Sequence, residues 1–187
     1  MIIALAGRRI DALESDQSRF PLHMKEKVRK RLYDLFAEQS ATVLVCSGAC
    51  GADLLALDAA SELGMHRRMV LPFDRQQFRE TSVTDRAPAD AWGALFDRMA
   101  DELTATHNLL VLEGVGAGQQ AYEAVNRTIL DEALRLAQPP QGSEEACRDV
   151  LAVVVWEGAT RGAKDLTAAL LDEAQRRGLQ TTEILTC

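Results

Sequence analysis

Six short apolar runs, each followed by a segment of helical period, constrain this chain more than any other feature. The runs are Ile2–Ala6, Thr42–Cys46, Arg68–Leu71, Asn108–Leu112, Val150–Trp156 and Thr181–Leu185. They are mostly continuous rather than alternating, as expected of strands covered on both faces of a parallel sheet. Between them, apolar residues recur at helical spacing: Met24, Val28, Leu32, Leu35 and Phe36; Leu54, Leu55, Ala59 and Leu63, ended by Gly64; Trp92, Leu95, Phe96, Met99 and Leu103; Tyr122, Val125, Ile129, Ala133 and Leu136; Leu166, Ala169, Leu170 and Ala174, closed by Gly178. Regular alternation of strand and helix predicts an α/β fold, a doubly wound, mostly parallel sheet of about six strands with helices on both faces. The 187 residues are expected to form one domain, 1–187.

Two segments break the alternation. The stretch 139–148, "PPQGSEEACR", reads as an exposed, mobile loop between the fourth helix and the fifth strand. The stretch Phe73–Ala91 is polar and poorly periodic, and its place after a strand suggests a pocket rim or lid.

The net charge of −7 argues against a general nucleic-acid binder, which needs a basic face to release phosphate counterions. Cys46, Cys50, Cys147 and Cys187 form no CxxC pair, so free thiols are expected and no metal site. No organic cofactor is expected either. The apolar run at Met1–Ala6 is too short for a signal peptide. No stretch approaches the ~20 apolar residues of a membrane span. The expected location is the cytoplasm.

Right-handed crossovers place every strand-to-helix loop on one edge of such a sheet, where ligands bind. In "AGRRIDA" after the first strand, Gly7 permits close backbone approach and Arg8 or Arg9 offers a bidentate contact to a phosphate or carboxylate, or pairs with a neighbour such as Asp11. In "SGACGAD" after the second, small residues at Ser47, Gly48, Ala49 and Gly51 leave the first amides of the next helix open to an anion. Asp53 lies in that helix's first turn, favoured there by the helix dipole unless a ribose hydroxyl is near. Phe73 covers the sheet edge or stacks on a base. "EGVGAGQQAYEAVN" carries Gly114, with Tyr122 and Asn126 one helical turn apart, and Glu123 spaced for a salt bridge to Arg127. In "WEGATRGAKD", Gly158 and Gly162 enclose Arg161, which with Lys164 forms a second candidate anion site.

Taken in order, "ALAGRR", "CSGACGADLLALDAA", "VLPF" and "WEGATRGAKDL" resemble the SLOG superfamily, over nearly the whole chain. That group joins the Lonely Guy phosphoribohydrolases, the Rossmann-like domains of DNA-processing protein A and a branch of nucleotide-ligand sensor domains. The resemblance implies a Rossmann-like fold that binds a nucleotide or a nucleotide-derived molecule. It is closest to the sensor branch, whose members work beside effector domains or partner proteins. The Lonely Guy branch offers an alternative, N-glycosidic hydrolysis of a nucleoside 5′-monophosphate, with Arg98 and Glu123 as the nearest matches to its catalytic pair. "EGVGAGQQAYE" lacks that branch's PGG and Gly-Thr. Phosphate is expected on the Ser47–Gly51 turn, helped by Arg8 or Arg161, with base or ribose near Tyr122, Asn126 or Glu157. Relatives often dimerise through helical faces, and the Trp92–Leu103 stripe is apolar enough to serve a homodimer.

Overall fold

A computed structural model describes residues 1–15, 17–116, 118–139 and 146–187. Positions 140–145 of the expected exposed loop lie outside the described residues. All six strands join one sheet: β1 (Ile2–Gly7), β2 (Val43–Cys46), β3 (His66–Leu71), β4 (Leu109–Val111), β5 (Val150–Trp156) and β6 (Gln180–Leu185). Their order is β4-β3-β2-β1-β5-β6, and every pairing is parallel. The fold is therefore a Rossmann-like α/β sheet, wholly parallel where a mostly parallel one is expected from the sequence.

The strands are apolar at consecutive positions because each has two faces to cover. Ile3, Leu5, Val153 and Val155 enter one core, with α1 (Lys25–Glu38), α2 (Ala52–Glu62) and α4 (Ala89–Ala105). Ile2, Ala4, Ala152 and Val154 enter the other, beneath α5 (Gln119–Ala137) and α6 (Leu166–Arg176). Progression β1 to β4 runs one way across the sheet, so right-handed crossovers lay α1, α2 and α4 on one side. The chain then passes back over the sheet through α5 to β5, beyond β1, and winding continues on the other side. The direction of winding thus reverses between β1 and β5, and a crevice opens at their carboxyl ends.

The stretch Phe73–Ala91 is largely helical: α3 (Arg75–Phe78) leads into a π turn at Arg79–Val83. Arg75 binds Asp101 and Asp97, and Arg79 binds Asp97, so this rim is fastened to α4. The Trp92–Leu103 stripe serves the chain itself. Trp92, Phe96, Met99 and Leu103 are buried in the core, and only Leu95 of the five is half-buried. No described helix is long and apolar enough to cross a membrane.

Candidate functional site

At the carboxyl ends of β1 and β2 lies a cavity of about 250 Å³. Its floor is Leu5, Ala6 and Gly7; Ser47, Ala49 and Asp53 form one wall, Tyr122 and Asn126 of α5 another. Phe78 and Ser82 come from the rim, Leu166 and Thr167 from the start of α6. The Tyr122 hydroxyl and Ser82 Oγ share a hydrogen bond of 2.9 Å, and Asn126 Nδ2 donates to the Leu166 carbonyl at 2.7 Å. These two bonds hold α5 against the rim and against α6. Phe73 packs edge-on to Tyr122, with ring centroids 5.9 Å apart.

Asp53 is the exceptional wall residue. It is 94% buried by the 6% exposure it keeps, its Oδ2 accepts from the Ala49 amide at 3.2 Å, and its Oδ1 has no hydrogen-bond partner among the described residues. Burial pushes its carboxyl up to about 7, against the pull of the Ala49 amide, the Arg9 guanidinium and the Gly7 amide. A carboxyl at the start of a helix normally faces water. This one faces the cavity, where it can accept a hydrogen bond when ionised and donate one when protonated.

The glycine turn after β2 is packed by the chain's own backbone. Gly51 has φ +109°, and a Cβ there would sit 2.7 Å from both the Arg8 carbonyl oxygen and the Ile10 amide nitrogen. A methyl on Gly7 would overlap Ala52. A Cβ on Gly48 would meet Met69 Sδ at 2.9 Å, inside the core rather than at the cavity. The amides that were candidates for an anion are largely engaged: Ala49 with Asp53, Cys50 with the Ser82 carbonyl, and Ala52 with the Arg8 carbonyl. The small residues are required because β1's continuation crosses the start of α2 at this point.

Arg8 is buried at the crevice between β1 and β5. Each of its three guanidinium nitrogens donates internally, to Glu157, to Asp165 and to the Ala159 carbonyl. Glu157 and Arg8 therefore hold one another and brace the β1 and β5 loops. Asp165 also caps α6, accepting from the Thr167 and Ala168 amides. Burial would raise the Asp165 carboxyl, but the bonds from Arg8 and from the Arg161 and Ala168 amides outweigh it and hold the group well below the usual carboxylate range. Arg161, Gly158 and Gly162 stand on the exposed β5–α6 turn, and Gly114 on the exposed β4–α5 turn.

Arg98 and Glu123 are not brought together. Arg98 lies on α4 and donates to Asp58 of α2 at 3.2 Å. Glu123 lies on α5, on the opposite side of the sheet, and accepts from Gln119 at 2.8 Å. Neither lines the cavity. Sequence reasoning did not single out Phe78, Ser82 or Thr167, because Ser82 belongs to an aperiodic segment and Thr167 to an ordinary helix start. Cys46 and Cys50 are buried free thiols, which burial pushes up and makes unreactive.

No protein-family profile matches this chain, and no curated protein matches it. Among solved structures, the X-ray structure of DNA processing protein A from Streptococcus pneumoniae is similar over 94% of this chain, with 17% identity and a TM-score of 0.37. The chain spans 61% of the length of that protein.

Proposed function

We propose that this chain is a binding and sensing module for a nucleotide-derived small molecule, whose base and ribose enter the cavity above β1 and β2. The observation that carries the reading is Oδ1 of Asp53, a buried acceptor without a hydrogen-bond partner among the described residues, in a cavity at the carboxyl edge of a doubly wound sheet. An unsatisfied buried carboxylate is costly, and it is retained where a ligand completes it. A base N–H or a ribose hydroxyl supplies the missing donor. The wall suits the remainder of a nucleoside: Val125 and Ile129 are apolar, Tyr122 offers a ring, and Ser47 and Asn126 offer hydrogen bonds. The ordered motifs shared with the SLOG group support the same reading. In this reading the bound state is passed to an effector domain or partner protein.

A thermal-shift and calorimetric panel of adenosine, guanosine, cytidine, uridine and their 5′-monophosphates tests it. A ligand present at a hundred times its Kd adds about 2.7 kcal/mol of stability. The expected result is a shift with one base that disappears in Ser47→Leu, which fills the cavity from its wall. If no nucleoside or nucleotide shifts the wild-type protein, the reading is wrong.

A further inference from the structure

A second cavity of about 310 Å³ adjoins the first and shares Gly7, Arg9, Leu166 and Thr167 with it. Although the chain carries a net charge of −7, this cleft is lined by Arg8, Arg9, Arg19, Arg86 and Arg161, against one acid, Asp11. Asp11 is already engaged, its Oδ2 accepting from the Arg19 and Phe20 amides. The other nearby carboxylates are shared. Asp85 serves both Arg9 and Arg86, and Glu157 and Asp165, held by Arg8, stand 3.7 Å from Arg19 and 3.6 Å from Arg161. Five guanidinium groups thus meet four carboxylates among the described residues.

Two of the donors also lack a hydrogen bond, although Arg86 Nε stands 3.6 Å from Asp85 Oδ2. Nε of Arg9 and Nε of Arg86 are buried with no hydrogen-bond partner among the described residues. Burial and the positive charges of Arg8 and Arg19 push the Arg161 guanidinium down, as expected where cations crowd without counterions of their own. A tetrahedral oxyanion would relieve both defects, because planar guanidinium forks match its oxygens and its charge offsets theirs.

We propose that this arginine cleft, at the crevice between β1 and β5, is a phosphate site. It lies across Gly7 from the first cavity, so a nucleotide whose base and ribose fill that cavity can reach it with its phosphate. Free inorganic phosphate would satisfy the same chemistry. The site would take the role expected of the Ser47–Gly51 turn, whose amides are largely engaged. Only the nucleotide source of the phosphate rests on the function proposed above.

The test titrates inorganic phosphate, the panel nucleosides and their 5′-monophosphates at constant ionic strength, by calorimetry, into wild-type protein and single variants. Arg86→Gln and Arg161→Gln are expected to weaken inorganic phosphate at least tenfold. Arg176→Gln, an exposed side chain on α6, should leave it unchanged. Absence of phosphate binding, or equal weakening by Arg176→Gln, overturns the site. Nucleoside binding that survives Arg86→Gln but not Ser47→Leu supports the base cavity independently, so the two readings fail separately. A monophosphate that binds more tightly than both its nucleoside and inorganic phosphate, and loses that gain in Arg86→Gln, assigns the phosphate to a nucleotide. A monophosphate no tighter than inorganic phosphate overturns the nucleotide source and assigns the cleft to the free ion.

Discussion

Arg8 and Asp165, 157 residues apart in sequence, meet in a buried two-pronged ion pair, with Nη1 donating to Oδ1 at 2.5 Å and Nη2 to Oδ2 at 2.8 Å. The pair ties the two loops that flank the crevice where the winding of the sheet reverses. Removing one partner of such a pair leaves an uncompensated buried charge. Arg8→Ala should therefore cost about 3–5 kcal/mol in urea denaturation. Asp165→Asn, which keeps a cap acceptor for α6, should cost less. Because the folded-state value of Asp165 lies below its unfolded one, its contribution is present above the unfolded value near 3.8 and declines as pH falls toward the folded one. The gap between wild type and Asp165→Asn should then narrow in acid. A gap that does not change with pH would show that the carboxylate charge is not what stabilises the loop.

Asp53 behaves in the opposite sense. Its folded value of about 7 lies above the ordinary 3.8, so between these values the unfolded chain releases a proton that the folded chain retains. Stability falls as pH rises through that window, by up to about 4 kcal/mol, and levels off above it. Asp53→Asn removes the titration. The variant should gain on wild type steadily from pH 4 to pH 7 in paired denaturation curves, and parallel profiles would refute the assignment.

Gly51→Ala places a methyl against the Arg8 and Ile10 backbone at a φ of +109°. We expect a loss of about 2–3 kcal/mol, from strain and from displacement of the β1 continuation. Gly48→Ala should also destabilise, through Met69, although its methyl points away from the cavity. Nucleoside affinity measured below the melting transition should survive Gly48→Ala, whereas a direct ligand contact at Gly48 would abolish it.

The Tyr122–Ser82 bond is the tie between α5 and the rim. Tyr122→Phe and Ser82→Ala should each cost about 1 kcal/mol, with the double variant costing less than their sum. Strict additivity in a thermal-denaturation cycle would mean that the two hydroxyls are not coupled.

Much of the scaffold is legible in local pattern. Val150–Trp156 reads as a strand from end to end because a strand buried on both faces has no polar position to blur its limits. The stripes around Val28 and Ile129 likewise follow from the need to bury one helix face. The Arg75–Val83 segment carries no such period. Its helical turns are held by Asp97 and Asp101 of α4, 18 to 26 residues further along the chain, so nothing within the segment announces them.

The site divides along the same line. That small residues are needed at Gly7, Gly48 and Gly51 is readable from the sequence, since a strand ending in glycines before a helix implies close approach. What approaches was decided by the tertiary structure: backbone at Gly51, Ala52 at Gly7 and the Met69 side chain at Gly48. Arg8 is conspicuous in sequence, but its carboxylate partners lie beyond four intervening strands, and only the reversal of winding after α5 brings them beside it. The chain by itself determined the α/β alternation, the strand segments and the edge on which loops gather, because periodicity and turn chemistry are local. Strand order, the identity of the cavity walls, the protonation of Asp53 and the crowding of arginines in one cleft depend on groups distant in sequence meeting out of water, where burial and Coulomb terms gain their strength.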